Sequence, residues 1–212
     1  MGNLPTAPAI MGNVVIWKPA STAVYPSYHV MRILLEAGLP PGVINFIPGR
    51  GSKVGDPILK HPELAGLHFT GSTNTLWKTI GENLQNYKNF PRIVGETGGK
   101  DFIFVHESAD IDSLITAIIR GAFQYSGQKC SAASRGYMPK SLWPDIRDKL
   151  LNKVSEIKMG DIKDFRTMLG AVIDKSAYEK IVNYIEEIKK APETEILAGG
   201  SYDDSKGYFI EP

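Results

Sequence analysis

The chain holds a single cysteine, Cys130, in the setting Gly127-Gln128-Lys129-Cys130-Ser131. A thiolate is a strong nucleophile, and covalent catalysis needs its sulfur presented to a cleft rather than packed in a core. Gly127 permits a sharp turn just ahead of the thiol, so presentation beyond a helix end is the expectation. The alternative for a lone cysteine is a small buried hydrophobe. With no second thiol, an internal disulfide and a multi-cysteine zinc site are both excluded.

A second group is Gly95-Glu96-Thr97-Gly98-Gly99-Lys100. Ligands of open α/β sheets bind outside the carboxyl ends of the strands, so a glutamate there faces the crevice, and neighbouring glycines let a backbone or ligand approach closely. Glu96 is therefore a candidate general base, with a capping or surface glutamate as the alternative. The third group could hold a dinucleotide. Gly49, Gly51 and Gly55 form G-x-G-x-x-x-G, one residue longer than the usual dinucleotide fingerprint and a weak signal by itself. Phe69-Thr70-Gly71-Ser72, between a strand and a helix start, offers hydroxyl and N–H groups to a phosphate. Lys18, at a strand end, can reach a ribose or phosphate or simply be solvated. The chain's 4 histidines, His29, His61, His68 and His106, have no ligand spacing, so no metal site is expected.

These groups need elements to position them, and the first half alternates short apolar runs with helical patterns. Residues 13–17, 43–47, 66–69 and 90–94 read as strands, while 22–37, 53–59 and 74–84 read as helices. Residues 49–52 and 70–72 read as turns. Strands joined by helical crossovers imply a parallel sheet covered by helices. Past Gly99, residues 102–105 and 135–138 read as strands, and 111–125, 142–157 and 176–190 as helices, the first capped by Asp110. A boundary at Gly99 divides residues 1–99 from residues 100–212. Residues 1–5 enter a helical segment without a preceding strand and 208–212 stop within a strand pattern, so both domains are expected to be incomplete.

Composition bounds the partners. Lys+Arg of 24 against Asp+Glu of 23 leaves a formal net charge of +1, so no overall field favours nucleic acid or an anionic membrane. No apolar run is long enough to span a bilayer. At 42% hydrophobic content the 212 residues can bury one large core or two modest ones.

Taken in order, Trp17-Lys18-Pro19, Pro48-Gly49-x-Gly51, Phe69-Thr70-Gly71-Ser72, Glu96-x-Gly98-Gly99-Lys100 and Gly127-Gln128-x-Cys130 resemble the aldehyde dehydrogenase superfamily. The resemblance extends to Leu197-Ala198-Gly199-Gly200 and Gly207-Tyr208-Phe209-Ile210-Glu211-Pro212. Residues 95–100, 122–132 and 141–144 are most similar to the branch that oxidises L-glutamate γ-semialdehyde to glutamate in proline breakdown. It implies an α/β fold: part of a Rossmann-type dinucleotide-binding domain followed by part of an α/β catalytic domain.

The roles implied by the resemblance follow position by position. Cys130 forms a thiohemiacetal with the aldehyde, its backbone N–H serves as an oxyanion donor, and Glu96 activates the water that hydrolyses the thioester. Lys18 contacts the adenosine ribose, Ser72 the pyrophosphate, and Ser131 the substrate carboxylate. Gly49, Gly51, Gly55, Phe69, Thr70, Gly71, Thr97 and Gly98 line the cofactor. NAD is implied, with NADP as the alternative, because Ser21 stands where many relatives carry an acid that repels a 2′-phosphate. A homo-oligomeric whole enzyme is also implied, in the mitochondrial matrix of a eukaryote or otherwise in the cytoplasm. The family's asparagine oxyanion donor, Glu-x-Phe-Gly-Pro segment, substrate loop and subunit-pairing arm have no match in this chain. The isolated chain is therefore expected to have no useful dehydrogenase activity. Two other readings stay open: another aldehyde as substrate, and a non-catalytic dinucleotide-binding fragment.

Overall fold

A computed structural model describes residues 2–212; Met1, the first of residues 1–5 expected to enter a helical segment, lies outside them. Two compact units result, Met1–Thr97 and Gly98–Pro212.

In the first unit, helix α1 (Asn3–Ile10) is followed by strand β1 (Val15–Trp17), helix α2 (Val24–Glu36) and strand β2 (Ile44–Phe46). The strand expected over 13–17 begins only at Val15 because Asn13 turns back onto α1: its N–H and its Nδ2 both donate to the Pro8 carbonyl, at 3.1 and 2.9 Å. Strands β1 and β2 run parallel, with Val15 beside Ile44 and Trp17 beside Phe46. Their apolar side chains meet those of α2 in a small core centred on Trp17, Met31 and Ile44, with the Trp17 and Phe46 rings edge to face at 5.2 Å. Such a pair adds attraction beyond the area it removes from water.

Residues Gly51–Gly55 form a π-helical turn running into helix α3 (Asp56–Leu59), not the open turn expected over 49–52. The N–H groups of Lys53 and Val54 are already committed to the Arg50 carbonyl, which tightens the backbone from its first residue. Strand β3 (Gly66–Gly71), helix α4 (Thr73–Asn83) and strand β4 (Arg92–Thr97) complete the unit. Pairing with β4 through Gly71↔Thr97 keeps Thr70 and Gly71 in the strand rather than in the expected turn. Parallel pairing agrees with the helical crossovers; among the described residues the ladders are β1–β2 and β3–β4.

In the second unit, strand β5 (Asp101–Phe104) leads to helix α5 (Ile111–Phe123), which returns the chain to strand β6 (Ala133–Tyr137), parallel to β5. Asp110 caps α5, its carboxylate accepting the Ser113 N–H at 2.8 Å. Leu114, Ile115, Ile118 and Ile119 recur on one face of α5, as a helix with one buried side requires. That face packs on Ile146 of helix α6 (Trp143–Ser155), which is fully buried. Helix α7 (Lys175–Lys190) and an antiparallel pair, β7 (Tyr202–Asp203) with β8 (Phe209–Ile210), close the unit. Among the described residues no helix is long and apolar enough to cross a membrane.

Candidate active site

The cysteine turn owes its shape to the end of α5. The helix expected to reach residue 125 stops at Phe123, because Tyr125, Ser126 and Gly127 adopt left-handed backbone angles, with φ of 64°, 57° and 66°. A residue other than glycine pays roughly 1–2 kcal/mol for that conformation, so Tyr125 and Ser126 are held there by other contacts. Gly127 also lacks room for a side chain, since a Cβ would stand 3.0 Å from the Ala122 carbonyl oxygen.

Two side chains tie this turn to residues distant in sequence. Ser126 Oγ donates to the Gly170 carbonyl at 3.0 Å, and the Ile173 N–H donates to Gln128 Oε1 at 2.9 Å. Gln128 Nε2 reaches back to the Tyr125 carbonyl at 3.3 Å. Cys130 follows in a surface turn and is exposed, as is Ser131. The thiol is therefore displayed rather than packed in the core. Lys129, its neighbour, turns its ammonium to Gln124 Oε1 at 2.9 Å.

In the first unit, parallel register sets Thr70 beside Glu96 and Gly71 beside Thr97. Two motifs far apart in sequence thus share one strand end. A Cβ on Gly95 would run into Leu76 of α4, so α4 covers that face of β4. Side chains alternate along a strand, so Glu96, the next residue, points to the opposite face. Thr70 and Glu96 are both exposed there.

Ser72 caps α4, with Oγ accepting the Thr75 N–H at 3.1 Å. Helix geometry leaves the N–H groups of Thr73 and Asn74 outside the intrahelical ladder, an arrangement that suits a phosphate. Lys18 lies just beyond β1, where its Nζ donates to the Pro19 carbonyl at 2.8 Å. Ser21 opens a short 3₁₀ turn after it and is exposed. Gly49 precedes the π-helical turn that Gly51 and Gly55 bracket. The Ser72 cap offers groups suited to a dinucleotide's phosphates and Lys18 a cation suited to a polar ribose, while the glycine triplet lies at a π-helical turn. Gly98 follows β4 at the start of the second unit. Among the described residues, no group of three or more His, Cys, Asp or Glu side chains is placed to hold a metal ion.

Sequence reasoning gave no part to Gly170 or Ile173, and none to Ser126 as a tether. Contacts spanning 44 and 45 residues have no local signature.

The chain matches the aldehyde dehydrogenase family over residues 2–212. It is 53% identical to a protein of Danio rerio named delta-1-pyrroline-5-carboxylate dehydrogenase, mitochondrial, covering 100% of this chain and 39% of that protein. The Homo sapiens protein of the same name is 52% identical over 100% of this chain and 38% of its own length. A crystal structure of the delta-pyrroline-5-carboxylate dehydrogenase of Mycobacterium tuberculosis bound with NAD superposes with a TM-score of 0.95 at 53% identity, over 100% of this chain and 40% of that one. The chain therefore spans about 39% of the length of such a relative. With a match running through all the described residues, from α1 to the last strand, this chain belongs to the aldehyde dehydrogenase family.

Proposed function

We propose that these residues serve NAD-dependent oxidation of an aldehyde to a carboxylate through a cysteine thioester. L-glutamate γ-semialdehyde, the open form of 1-pyrroline-5-carboxylate, is the substrate and glutamate the product. The observation that carries this reading is the display of Cys130 on a tethered left-handed turn at the end of α5. The names of the relatives support the substrate, and the NAD bound by the Mycobacterium tuberculosis enzyme supports the cofactor. In a eukaryote, the mitochondrial names of the Danio rerio and Homo sapiens relatives favour the matrix; otherwise the cytoplasm is its place.

In the proposed reaction, Cys130 Sγ attacks the aldehyde carbon to give a thiohemiacetal, and loss of hydride leaves a thioester on the sulfur. Glu96 removes a proton from the water that attacks this thioester, releasing the carboxylate and restoring the thiol. Ser131, exposed beside the nucleophile, donates its hydroxyl to the far carboxylate of the substrate. Lys18 and Ser72 hold the ribose and pyrophosphate of the dinucleotide; Phe69, Thr70, Gly71, Thr97 and Gly98 line its approach. Bound there, NAD supplies the hydride acceptor. NADP is the alternative cofactor, since Ser21 sets no fixed negative charge against a 2′-phosphate.

Iodoacetamide labelling of the folded protein, joined to a Cys130→Ala assay in the full-length enzyme for NADH formation from 1-pyrroline-5-carboxylate, tests this reading. Fast labelling at Cys130 and loss of turnover in the variant are expected. Labelling that needs prior unfolding would make Cys130 a structural thiol and end the proposal.

A further inference from the structure

The left-handed turn before Cys130 rests on a firmly seated segment. Leu169 and Val172 are 2% and 6% exposed. The Leu169 carbonyl accepts the Gly160 N–H at 3.0 Å, the Met168 N–H donates to Lys158 at 2.9 Å, and the Val172 N–H donates to Tyr208 at 2.8 Å. Just beyond, Asp174 caps α7 by accepting the Ala177 N–H at 2.9 Å. Gly170, whose carbonyl accepts the Ser126 hydroxyl, and Ile173, whose N–H donates to Gln128, therefore have little freedom of their own. Backbone held in a sparsely populated conformation persists only where its surroundings over-determine it. At Tyr125 and Ser126 those surroundings are the Ser126–Gly170 and Gln128–Ile173 bonds.

We propose that Ser126 and Gln128 are positioning residues, clamping the turn that carries Cys130 onto residues 169–173 and so fixing where the thiol stands. This rests on the reading of Cys130 as the nucleophile. Gln128 is the more informative half, because one amide makes both contacts: its oxygen receives the distant Ile173 N–H, and its nitrogen closes the turn on the Tyr125 carbonyl. A side chain of similar length without an acceptor releases the distant tether; one that keeps an acceptor oxygen preserves it.

Gln128→Met, Gln128→Glu, Ser126→Ala and Cys130→Ala are compared with the unaltered full-length enzyme for kcat and KM. Amide hydrogen exchange at Ile173 is measured beside them and needs no turnover. Misplacing a reacting group by about 1 Å can cost on the order of 10²-fold in rate. Gln128→Met is accordingly expected to lower kcat by about 10- to 10²-fold with KM within about threefold, and Gln128→Glu to recover most of it. Ser126→Ala should show a smaller loss of the same kind. Exchange at Ile173 should quicken about tenfold in Gln128→Met, the scale of one lost hydrogen bond, and stay near the original rate in Gln128→Glu. Unchanged exchange at Ile173 in Gln128→Met overturns the clamp, as does kcat equally reduced in the Met and Glu variants. If Cys130→Ala retains activity, the nucleophile assignment fails instead; a dead Cys130→Ala beside a fully active Gln128→Met refutes the clamp alone.

Discussion

Thr70 and Glu96 are register partners at the carboxyl ends of β3 and β4, and both side chains are exposed. In a parallel ladder such partners project from the same face at the inter-strand spacing, about 4.8 Å. The hydroxyl-bearing strand end that leads into α4 and the candidate base are thus held together by backbone hydrogen bonds, independently of either side chain. A carboxylate on a paired strand is better fixed than one on a loop, which suits a group that must meet a water in the hydrolytic step.

In the full-length enzyme, Glu96→Gln is expected to preserve acylation of Cys130 and to slow release of product. The substitution keeps size and register but removes the basic oxygen, and general-base assistance is typically worth about 10²- to 10⁴-fold. Rapid-mixing measurements of NADH should show an initial burst followed by slow turnover. If the burst itself disappears, Glu96 acts before the thioester forms.

Gly127→Ala is expected to destabilise the second unit and depress turnover together. An alanine at a φ of 66° is strained by roughly 1–2 kcal/mol, and its Cβ would press on the Ala122 carbonyl at 3.0 Å. Urea unfolding should show the loss of stability. Because the strain lies three residues before the thiol, alkylation of Cys130 should change rate in the same variant; an unaltered rate would mean that the turn does not govern the thiol.

Local chemistry made most of the elements legible in the sequence, whereas non-local contacts decided the details. The apolar face of α5 and its Asp110 cap can be read from spacing alone, because both depend on residues within a few positions. The end of α5 could not be read in this way: nothing in Gln124-Tyr125-Ser126 announces left-handed backbone, which depends on bonds to Gly170 and Ile173. Glu96 could be placed at a strand end, yet its partnership with Thr70 follows only from register. For Gly49, Gly51 and Gly55 the spacing announced a turn, and its π-helical winding over Gly51–Gly55 has no signature in the glycines alone.

Asp110 gives the chain a pH-dependent helix cap. Chiefly the Ser113 N–H, and also its hydroxyl, hold the Asp110 carboxyl below the ordinary carboxylate range. With the folded-state value lowered, the cap's contribution is present in full above the unfolded carboxylate's value, roughly 3.9. As pH falls through the lower folded-state value, the contribution disappears. Asp110→Ala should therefore lower the urea midpoint at neutral pH, and the gap from the unaltered protein should narrow in strong acid. Asp110→Asn, which keeps an acceptor oxygen without a titratable proton, should retain much of the cap and flatten its pH dependence. A gap for Asp110→Ala that is constant down to low pH would show that the cap is not made by the ionised carboxylate.

Ser21 bears on the choice between NAD and NADP. It opens the 3₁₀ turn Ser21–Ala23, just beyond Lys18 and the end of β1, and is exposed. An acid at this position would accept hydrogen bonds from the ribose hydroxyls and repel a 2′-phosphate, whereas serine accepts a hydrogen bond without repelling one. Lys18, whose ammonium sits on the Pro19 carbonyl at the same strand end, would attract the additional phosphate. Ser21→Asp should therefore raise the ratio of kcat/KM for NAD to that for NADP. The change should come mainly from the NADP side, because like-charge juxtaposition penalises the wrong ligand more than it helps the right one. About tenfold is a reasonable scale for an exposed pair, corresponding to about 1.4 kcal/mol. Added salt should shrink the effect, since exposed charges are screened within about 10 Å at 0.1 M ionic strength. Lys18→Ala should weaken NADP more than NAD on the same argument. A ratio unmoved by Ser21→Asp at low salt would place the adenosine ribose away from residue 21 and withdraw Ser21 as a determinant of cofactor choice.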